Sequence, residues 1–296
     1  STLLLSHSNA VQNASLEPRS NDKIAFAPGI GTFNVGMLDN NVGGGGGSVT
    51  LQDTSGAAIT LSVGGNNRSS TEAYTGTLSG LGGLTKVGTG VLLLGGANTY
   101  TGATTVAAGS LFVTGQLGNT AVTVDPGATL GGSGSITGAV NVLGTLSPGT
   151  SPGVLSVASL SLGGSSTSLF EIDGTTRGSQ YDGVTITGGS GPAYGGTLSL
   201  SFGNLSAFDN DTTFDLFNFS GSPTGNFGTV TSTGFYAGSW TQVASGTWRL
   251  ESGSQTLTFS QSDGDIVVVP EPAGLALAAI GIAAAAWARR RRSSRQ

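Results

Sequence analysis

The sequence predicts an all-β protein: a parallel β-helix, then an aromatic-rich C-terminal β cap, then a single transmembrane helix at the C-terminus. Three observations support this prediction. Short runs alternate between apolar and polar residues, glycine accounts for 52 of 296 residues, and only 9% of the residues are charged. No stretch before residue 270 has sustained helical periodicity. Period-two runs bounded by Gly, Asn, Asp or Pro are typical of strands joined by tight turns.

Residues 1–79 are predicted to form an N-terminal β-rich segment. The run at 59–63 alternates as a half-buried strand does. The five glycines at 43–47 favour a flexible loop over a phosphate-binding loop, because no helix is predicted after them.

Residues 80–194 are predicted to form the β-helix itself. Apolar clusters recur every 5–13 residues, and three such strands per turn would give a coil of roughly 20 residues. Strands this short need stacked neighbours to bury a core, which a parallel β-helix supplies, although a β-sandwich also fits regular short strands. The clusters centre on Leu93, Val106, Phe112, Val122, Leu130, Ile136, Val142, Leu146, Val157, Leu162 and Phe170.

One stretch of this region carries a family resemblance. Residues 84–102 read LTKVGTGVLLLGGANTYTG, and residues 104–111 continue as TTVAAGSL. This stretch resembles the autotransporter-associated β-strand repeat, also called the passenger-associated transport repeat. The resemblance implies a right-handed β-helical surface segment of the adhesin type.

Residues 195–265 are predicted to form a C-terminal β region that caps the helix. Aromatic residues concentrate there, and aromatic pairs across strands stabilise a small sheet. The set comprises Phe202, Phe208, Phe214, Phe217, Phe219, Phe227, Phe235, Phe259, Trp240 and Trp248.

Residues 266–296 have three parts in a fixed order. Pro270, Glu271 and Pro272 precede sixteen uncharged residues, 273–288, which would span roughly 24 Å as a helix. Trp287 stands where an interfacial aromatic residue would, and basic residues beside a membrane span favour the cytoplasmic side. The basic cluster that follows consists of Arg289, Arg290, Arg291 and Arg292.

This arrangement resembles the PEP-CTERM sorting signal of exported bacterial proteins. The resemblance implies that an exosortase-type membrane transpeptidase reads the tail, removes it and passes the protein to the cell surface or matrix. Pro270, Glu271 and Pro272 would then address the enzyme, the helix would anchor the chain transiently in the inner membrane, and the arginines would fix its orientation. An exported body also needs a signal peptide, which we expect to have been removed or to precede Ser1.

Composition excludes several classes of function. The tail holds five arginines, so six basic and fifteen acidic residues precede Pro270, a net charge of −9 that argues against nucleic acid as a partner. The chain has no cysteine, and His7 is its single histidine, so neither a thiolate metal site nor a histidine-based triad is predicted. We predict no cofactor and no metal. The acidic stretches at 209–215 and 263–265 match no calcium-loop pattern and are predicted to be solvated.

An enzyme on the same scaffold is the alternative. Glycoside hydrolysis needs two carboxylates about 5–10 Å apart, and Glu171, Asp173 and Asp182 are the candidates. Asp173 and Asp182 each precede a glycine, as turn residues do, so we favour a structural role and predict no catalytic residues.

The sequence therefore predicts a non-enzymatic, exported, adhesin-like surface or matrix protein. Its partners would be the transpeptidase and an extracellular polysaccharide or other matrix component. The alternatives are a secreted carbohydrate-active enzyme and a surface protein that keeps its anchor permanently.

Overall fold

The computed structural model describes residues 1–19, 21, 23–40, 46–70, 72–204 and 206–270. All regular elements of this part of the chain are strands. The first group comprises β1 (Leu3–Leu5), β2 (Val11–Leu16), β3 (Ile24–Phe26), β4 (Thr32–Leu38), β5 (Val49–Thr50), β6 (Thr60–Val63) and β7 (Leu78–Ser79). The second comprises β8 (Gly83–Lys86), β9 (Val91–Leu94), β10 (Ala97–Asn98), β11 (Thr104–Val106), β12 (Ser110–Val113), β13 (Gln116–Leu117), β14 (Val122–Val124), β15 (Thr129–Gly132), β16 (Ser135–Val142), β17 (Thr145–Pro148), β18 (Val154–Leu162), β19 (Thr167–Ile172) and β20 (Gly183–Ile186). The third comprises β21 (Ala193–Tyr194), β22 (Thr197–Phe202), β23 (Thr213–Asp215), β24 (Phe217–Asn218), β25 (Thr224–Gly225), β26 (Thr229–Gly234), β27 (Gly238–Ser239), β28 (Thr241–Ala244), β29 (Thr247–Ser252), β30 (Gln255–Ser260) and β31 (Asp265–Pro270).

Two large sheets form the body of the molecule. A 14-stranded sheet follows the order β2-β4-β6-β8-β11-β14-β16-β18-β20-β24, with β10, β13, β21 and β25 attached beside it. An 8-stranded sheet follows the order β27-β26-β22-β19-β17-β15-β12-β9. Its strands pair in parallel except at the β26–β27 hairpin. From β8 onward the chain returns repeatedly from one sheet to the other, which is the arrangement of a stacked parallel coil. The all-β prediction is confirmed.

The coils are regular in the middle of the chain. Leu84, Thr104, Val122, Val140 and Leu160 are successive partners, so a coil there takes 18 to 20 residues, close to the prediction. Later coils are longer than predicted. Thr167, Thr197 and Thr229 are successive partners about 30 residues apart, because loops such as 173–182 and 203–212 are inserted between strands.

The core runs along the inside of the coils as columns of stacked aliphatic residues. Val106, Val124 and Val142 are in register in one column, and all three are fully buried. Along each strand, residues that face outward alternate with these buried residues. Leu93 and Phe112, counted among the apolar clusters of the sequence, lie on the outward, half-buried positions of β9 and β12.

A five-stranded antiparallel sheet has the order β23-β31-β30-β29-β28. Strands β28 to β31 follow the coils in the chain, and β23 comes from the segment between β22 and β24. The sheet packs onto the last coil through aromatic residues: the ring centroids of Phe227 and Phe259 are 6.0 Å apart, and those of Phe217 and Phe227 are 6.1 Å apart. Trp240 and Trp248 are buried in the same region. The aromatic-rich C-terminal β cap is therefore present.

The sheets continue across the predicted domain boundaries. β6 pairs with β8 across residue 80, β19 pairs with β22 across residue 195, and β31 continues past residue 265. None of the described residues forms a helix long and apolar enough to cross a membrane. The predicted membrane helix at 273–288 lies outside the described residues.

Candidate functional site

Lys86 occupies an inward position in the repeat-like stretch. It is buried in the aliphatic column, in register with Val63 on one side and Val106 on the other. Its ammonium donates hydrogen bonds to the carbonyls of Val87 at 2.7 Å, Gly88 at 2.9 Å and Ala108 at 3.2 Å. Burial lowers the pKa of Lys86 to about 8. The side chain therefore connects its own coil to the next one.

Asn98 connects three coils from a buried position in the same stretch. Its side-chain oxygen accepts the N–H of Leu78 at 3.0 Å, and its Nδ2 donates to the carbonyls of Gly96 and Gln116, both at 3.1 Å. Buried amides are stable only when such bonds are made. Asn98 thus joins the preceding and following coils at one corner.

A buried hydroxyl network lies near this corner. The Tyr100 hydroxyl and Thr104 Oγ1 are 2.6 Å apart, and Thr104 Oγ1 lies 3.0 Å from Thr120 Oγ1. Thr120 in turn donates to the carbonyl of Gly102 at 2.6 Å. The polar residues of the repeat-like stretch therefore hold successive coils in register.

The structure gives the three candidate carboxylates different environments. Asp182 is buried, and its two oxygens accept the backbone N–H groups of Gly153 and Glu171, each at 2.9 Å. Burial raises the pKa of Asp182 to about 6, although these two bonds oppose the shift. Asp173 is exposed after the end of β19. Asp182 therefore ties the 148–153 turn to β19 of the next coil.

Glu171 lies on the outward face of β19 and lines a cavity of about 180 Å³. Phe112 lies across the same cavity, with the turn at 147–151 forming its remaining wall. A side chain at position 131 would place its Cβ 2.7 Å from Cε1 of Phe112, so the aromatic ring lies directly against Gly131. The cavity thus combines one aromatic ring, one carboxylate and serine and threonine hydroxyls. Sequence reasoning placed Phe112 in an apolar cluster and not in a site, although the alternation of β12 places it outside.

A column of hydroxyl side chains runs along the outer face of the 8-stranded sheet. Its members occupy the same register position on successive strands: Ser110, Thr129, Thr145, Thr167, Thr197 and Thr229. All six are half-buried or exposed. Within the part of the chain that the structure describes, none of these six hydroxyls has a hydrogen-bond partner. Their donors and acceptors are therefore available to another molecule.

The acidic residues of the cap form a separate cluster. Asp215 lies opposite Asp265 in the β23–β31 pair and forms an ion pair with Arg177, whose Nε is 3.6 Å from Asp215 Oδ2. Burial, with the charges of Asp215 and Asp263, raises the pKa of Asp265 to about 6. Among the described residues no group of three or more His, Cys, Asp or Glu side chains could hold a metal ion.

Pro270 is the final residue of β31, the last strand described. It is exposed, and its register partner is Gln255 on β30. Proline has no N–H to donate and is tolerated where a ladder ends. The other predicted sorting residues, Glu271, Pro272 and Arg289–Arg292, lie outside the described residues.

Comparison with known families confirms the two resemblances. Residues 84–112 match the family of the passenger-associated transport repeat, and residues 268–292 match the PEP-CTERM protein-sorting motif. The first match contains Lys86, Asn98, Tyr100 and Thr104, which connect the coils. The second begins inside β31 and includes Pro270.

A curated relative is the adhesin BmaC autotransporter of Brucella suis biovar 1 (strain 1330). It is 40% identical to this chain over an alignment of 101 positions, and the match covers 31% of this chain and 3% of that protein. The chain therefore matches only a small part of the relative's length.

Proposed function

We propose that this protein is an exported, non-enzymatic, adhesin-like scaffold of the bacterial cell surface or matrix. We further propose that an exosortase-type transpeptidase sorts it through the C-terminal motif. The coil would be right-handed, as crossover connections between parallel strands nearly always are. The proposal is supported by the two family matches and by the adhesin among the relatives.

The position of Pro270 carries the proposal. The Pro-Glu-Pro triplet of the sorting motif begins at Pro270, the last residue of β31, so every described strand precedes Glu271. Removal of residues 273–296 would leave Ile266 and Val268, the buried residues of β31, in place. A folded body could therefore be released without losing any part of its sheets.

The use of the carboxylates supports a scaffold over an enzyme. Both oxygens of Asp182 are engaged by backbone N–H groups, and Glu171 is the carboxylate that lines the cavity beside Phe112. Glycoside hydrolysis needs two carboxylates that face one substrate. In the repeat-like stretch, the charged residue Lys86 and the amide residue Asn98 are buried, and both bond to the next coil. Their side chains thus have a structural use.

The test is intact-mass spectrometry of membrane and surface fractions. The full chain is expressed in a bacterium with an exosortase-type enzyme and in the same strain with that enzyme deleted. We expect surface protein that lacks residues 273–296 in the first strain, and uncleaved, membrane-associated protein in the second. E271A with P272A should behave in the first strain as the wild type behaves in the deletion strain.

An uncleaved C-terminus on the surface protein of the first strain would contradict sorting by cleavage and support a permanent anchor. A substitution outside the motif, such as E251Q in the exposed part of β29, is the matched control and should be processed normally.

A further inference from the structure

We propose that the outer face of the 8-stranded sheet, centred on Phe112 and Glu171, binds an uncharged polysaccharide chain. The proposed function places the protein at the cell surface or in the matrix without naming a ligand. The polysaccharide proposal rests on that function only for the place where the protein would meet the polysaccharide. The binding surface consists of the cavity at Phe112 and Glu171 and of the hydroxyl column that begins at Ser110.

The aromatic ring of Phe112 offers the surface an apolar contact. Phe112 is on an outward position, yet its ring lies so close to the sheet that any side chain at Gly131 would collide with it. The ring therefore packs against the backbone of the neighbouring strand at Gly131, and a side chain packed in this way has less conformational entropy to lose on binding. Aromatic faces contribute a large apolar contact area, and the C–H face of a sugar ring is a suitable partner.

The carboxylate of Glu171 offers hydrogen-bond acceptors beside that ring. Glu171 lines the same cavity, and its carboxylate has no ion pair or hydrogen bond with any described residue. An ionised carboxylate only accepts hydrogen bonds, so it selects a ligand rich in O–H donors. The cavity, about 180 Å³, is smaller than the ~300–1,000 Å³ of sites for drug-sized molecules. It would hold one sugar unit of a longer chain.

The hydroxyl column extends the polar surface along the helix axis. Neighbouring strands lie about 4.8 Å apart, so the column presents one free hydroxyl at that interval along the helix axis. A hydroxyl donates one hydrogen bond and accepts two, as the hydroxyls of a sugar do. An extended glycan laid along the axis would therefore meet a complementary group on each successive coil, from Ser110 to Thr229.

Charge decides which polysaccharides fit. Among the described strands of this sheet, Glu171 is the only charged residue, and Asp173 and Asp182 lie near it. Such a surface repels polyanions and offers no cation to pair with them. The ligand is therefore a neutral polysaccharide, not an acidic one.

The test is affinity electrophoresis of the full chain, kept soluble by a mild detergent. Native gels contain dextran, laminarin or hydroxyethyl cellulose, and polygalacturonate serves as the anionic comparison. We expect at least one neutral polymer to retard the wild type. F112A and E171Q should each weaken that retardation about three- to tenfold.

Matched controls separate this face from the rest of the surface. F235A and E251Q remove an exposed aromatic ring and an exposed carboxylate near the C-terminal cap and should bind as the wild type does. The pair T145V and T167V removes two hydroxyls of the column and should weaken binding. The pair T105V and T123V makes the same change at neighbouring positions of the 14-stranded sheet and should not.

Three results would overturn the proposal: no retardation of folded wild type by any neutral polymer, stronger retardation by polygalacturonate, or equal effects of the target and control variants. Folding is checked by the fluorescence of the buried Trp240 and Trp248. The assay does not depend on cleavage of the tail, so it can fail or succeed independently of the sorting experiment.

Discussion

The side-chain oxygen of Asn98 accepts a hydrogen bond from the backbone N–H of Leu78, one coil earlier, at 3.0 Å. The amide of the same side chain bonds to Gln116, one coil later, at 3.1 Å. One buried side chain therefore spans three coils. In a parallel stack each coil contacts only its neighbours, so such connections decide whether the coils stay in register.

Replacement of Asn98 by alanine should destabilise the protein strongly. N98A leaves the N–H of Leu78 without its partner and removes the donor to two carbonyls. Unsatisfied buried groups cost about 1–3 kcal/mol each, so the free energy of unfolding should fall by about 2–4 kcal/mol in urea titrations. N141A, at an exposed position of β16, should change it by less than about 0.5 kcal/mol. Equal effects of the two variants would contradict the role of Asn98.

Lys86 should make stability rise with pH in the alkaline range. Its pKa is about 8 in the folded protein, against 10.5 for an unperturbed lysine, so the unfolded chain binds more protons between these values. The stabilising contribution of the neutral amine is complete above pH 10.5 and is lost as the pH falls through 8. The difference in unfolding free energy between wild type and K86M should therefore change over this window. K23M removes an exposed lysine, so the difference in unfolding free energy between wild type and K23M should stay constant over the same pH window.

Asp265 should cost stability at neutral pH. Its carboxylate faces Asp215 across the β23–β31 pair, and like charges directly opposite each other destabilise a sheet. Because its folded pKa is raised from 3.8 to about 6, the folded protein binds more protons between these values, and stability falls as the pH rises through 6. D265N should therefore raise the melting temperature at pH 7.

The same substitution should have little effect near pH 3, where both states carry the protonated acid. D209N, at an exposed position of the loop before β23, is the control and should leave the melting temperature unchanged at pH 7. A lower melting temperature for D265N at pH 7 would show that the carboxylate is stabilising.

Truncation should locate the end of the folded body. A chain that ends at Pro270 keeps β31 between β23 and β30, whereas a chain that ends at Gly264 loses the buried Ile266 and Val268. Burial of each of these side chains contributes about 1.5–3 kcal/mol. We expect cooperative urea unfolding, followed by tryptophan fluorescence, only for the longer chain. Equal midpoints would mean that β31 is dispensable.

The sequence predicted the β architecture well because each part of that prediction depended on local pattern. Alternation in β12 and β22 is enough to identify strands, and the 84–112 stretch carried its family resemblance in contiguous residues. The aromatic cluster after residue 195 likewise indicated the cap. The coil length was predicted correctly only in the middle of the chain, because inserted loops lengthen the later coils without changing the strand pattern.

The roles of individual polar residues needed the three-dimensional structure. The sequence analysis gave Lys86 no role, and the register with Val63 and Val106 places it in the core. Phe112 reads as part of an apolar cluster, yet its strand faces it outward over Gly131. Local alternation gives the side of the strand, but only the structure shows that Lys86 bonds to Ala108 of the next coil and that Phe112 lies against Gly131.

By itself, the sequence determined the strand-forming pattern, the repeat, the sorting motif and the acidic balance, because each is a property of contiguous residues or of composition. Only the tertiary structure decided which coils lie side by side. That stacking brings Leu78, Asn98 and Gln116 together, aligns Thr129 with Thr145 and Thr167, and sets Glu171 beside Phe112. These residues lie far apart along the chain, and only the register between parallel strands determines that they meet.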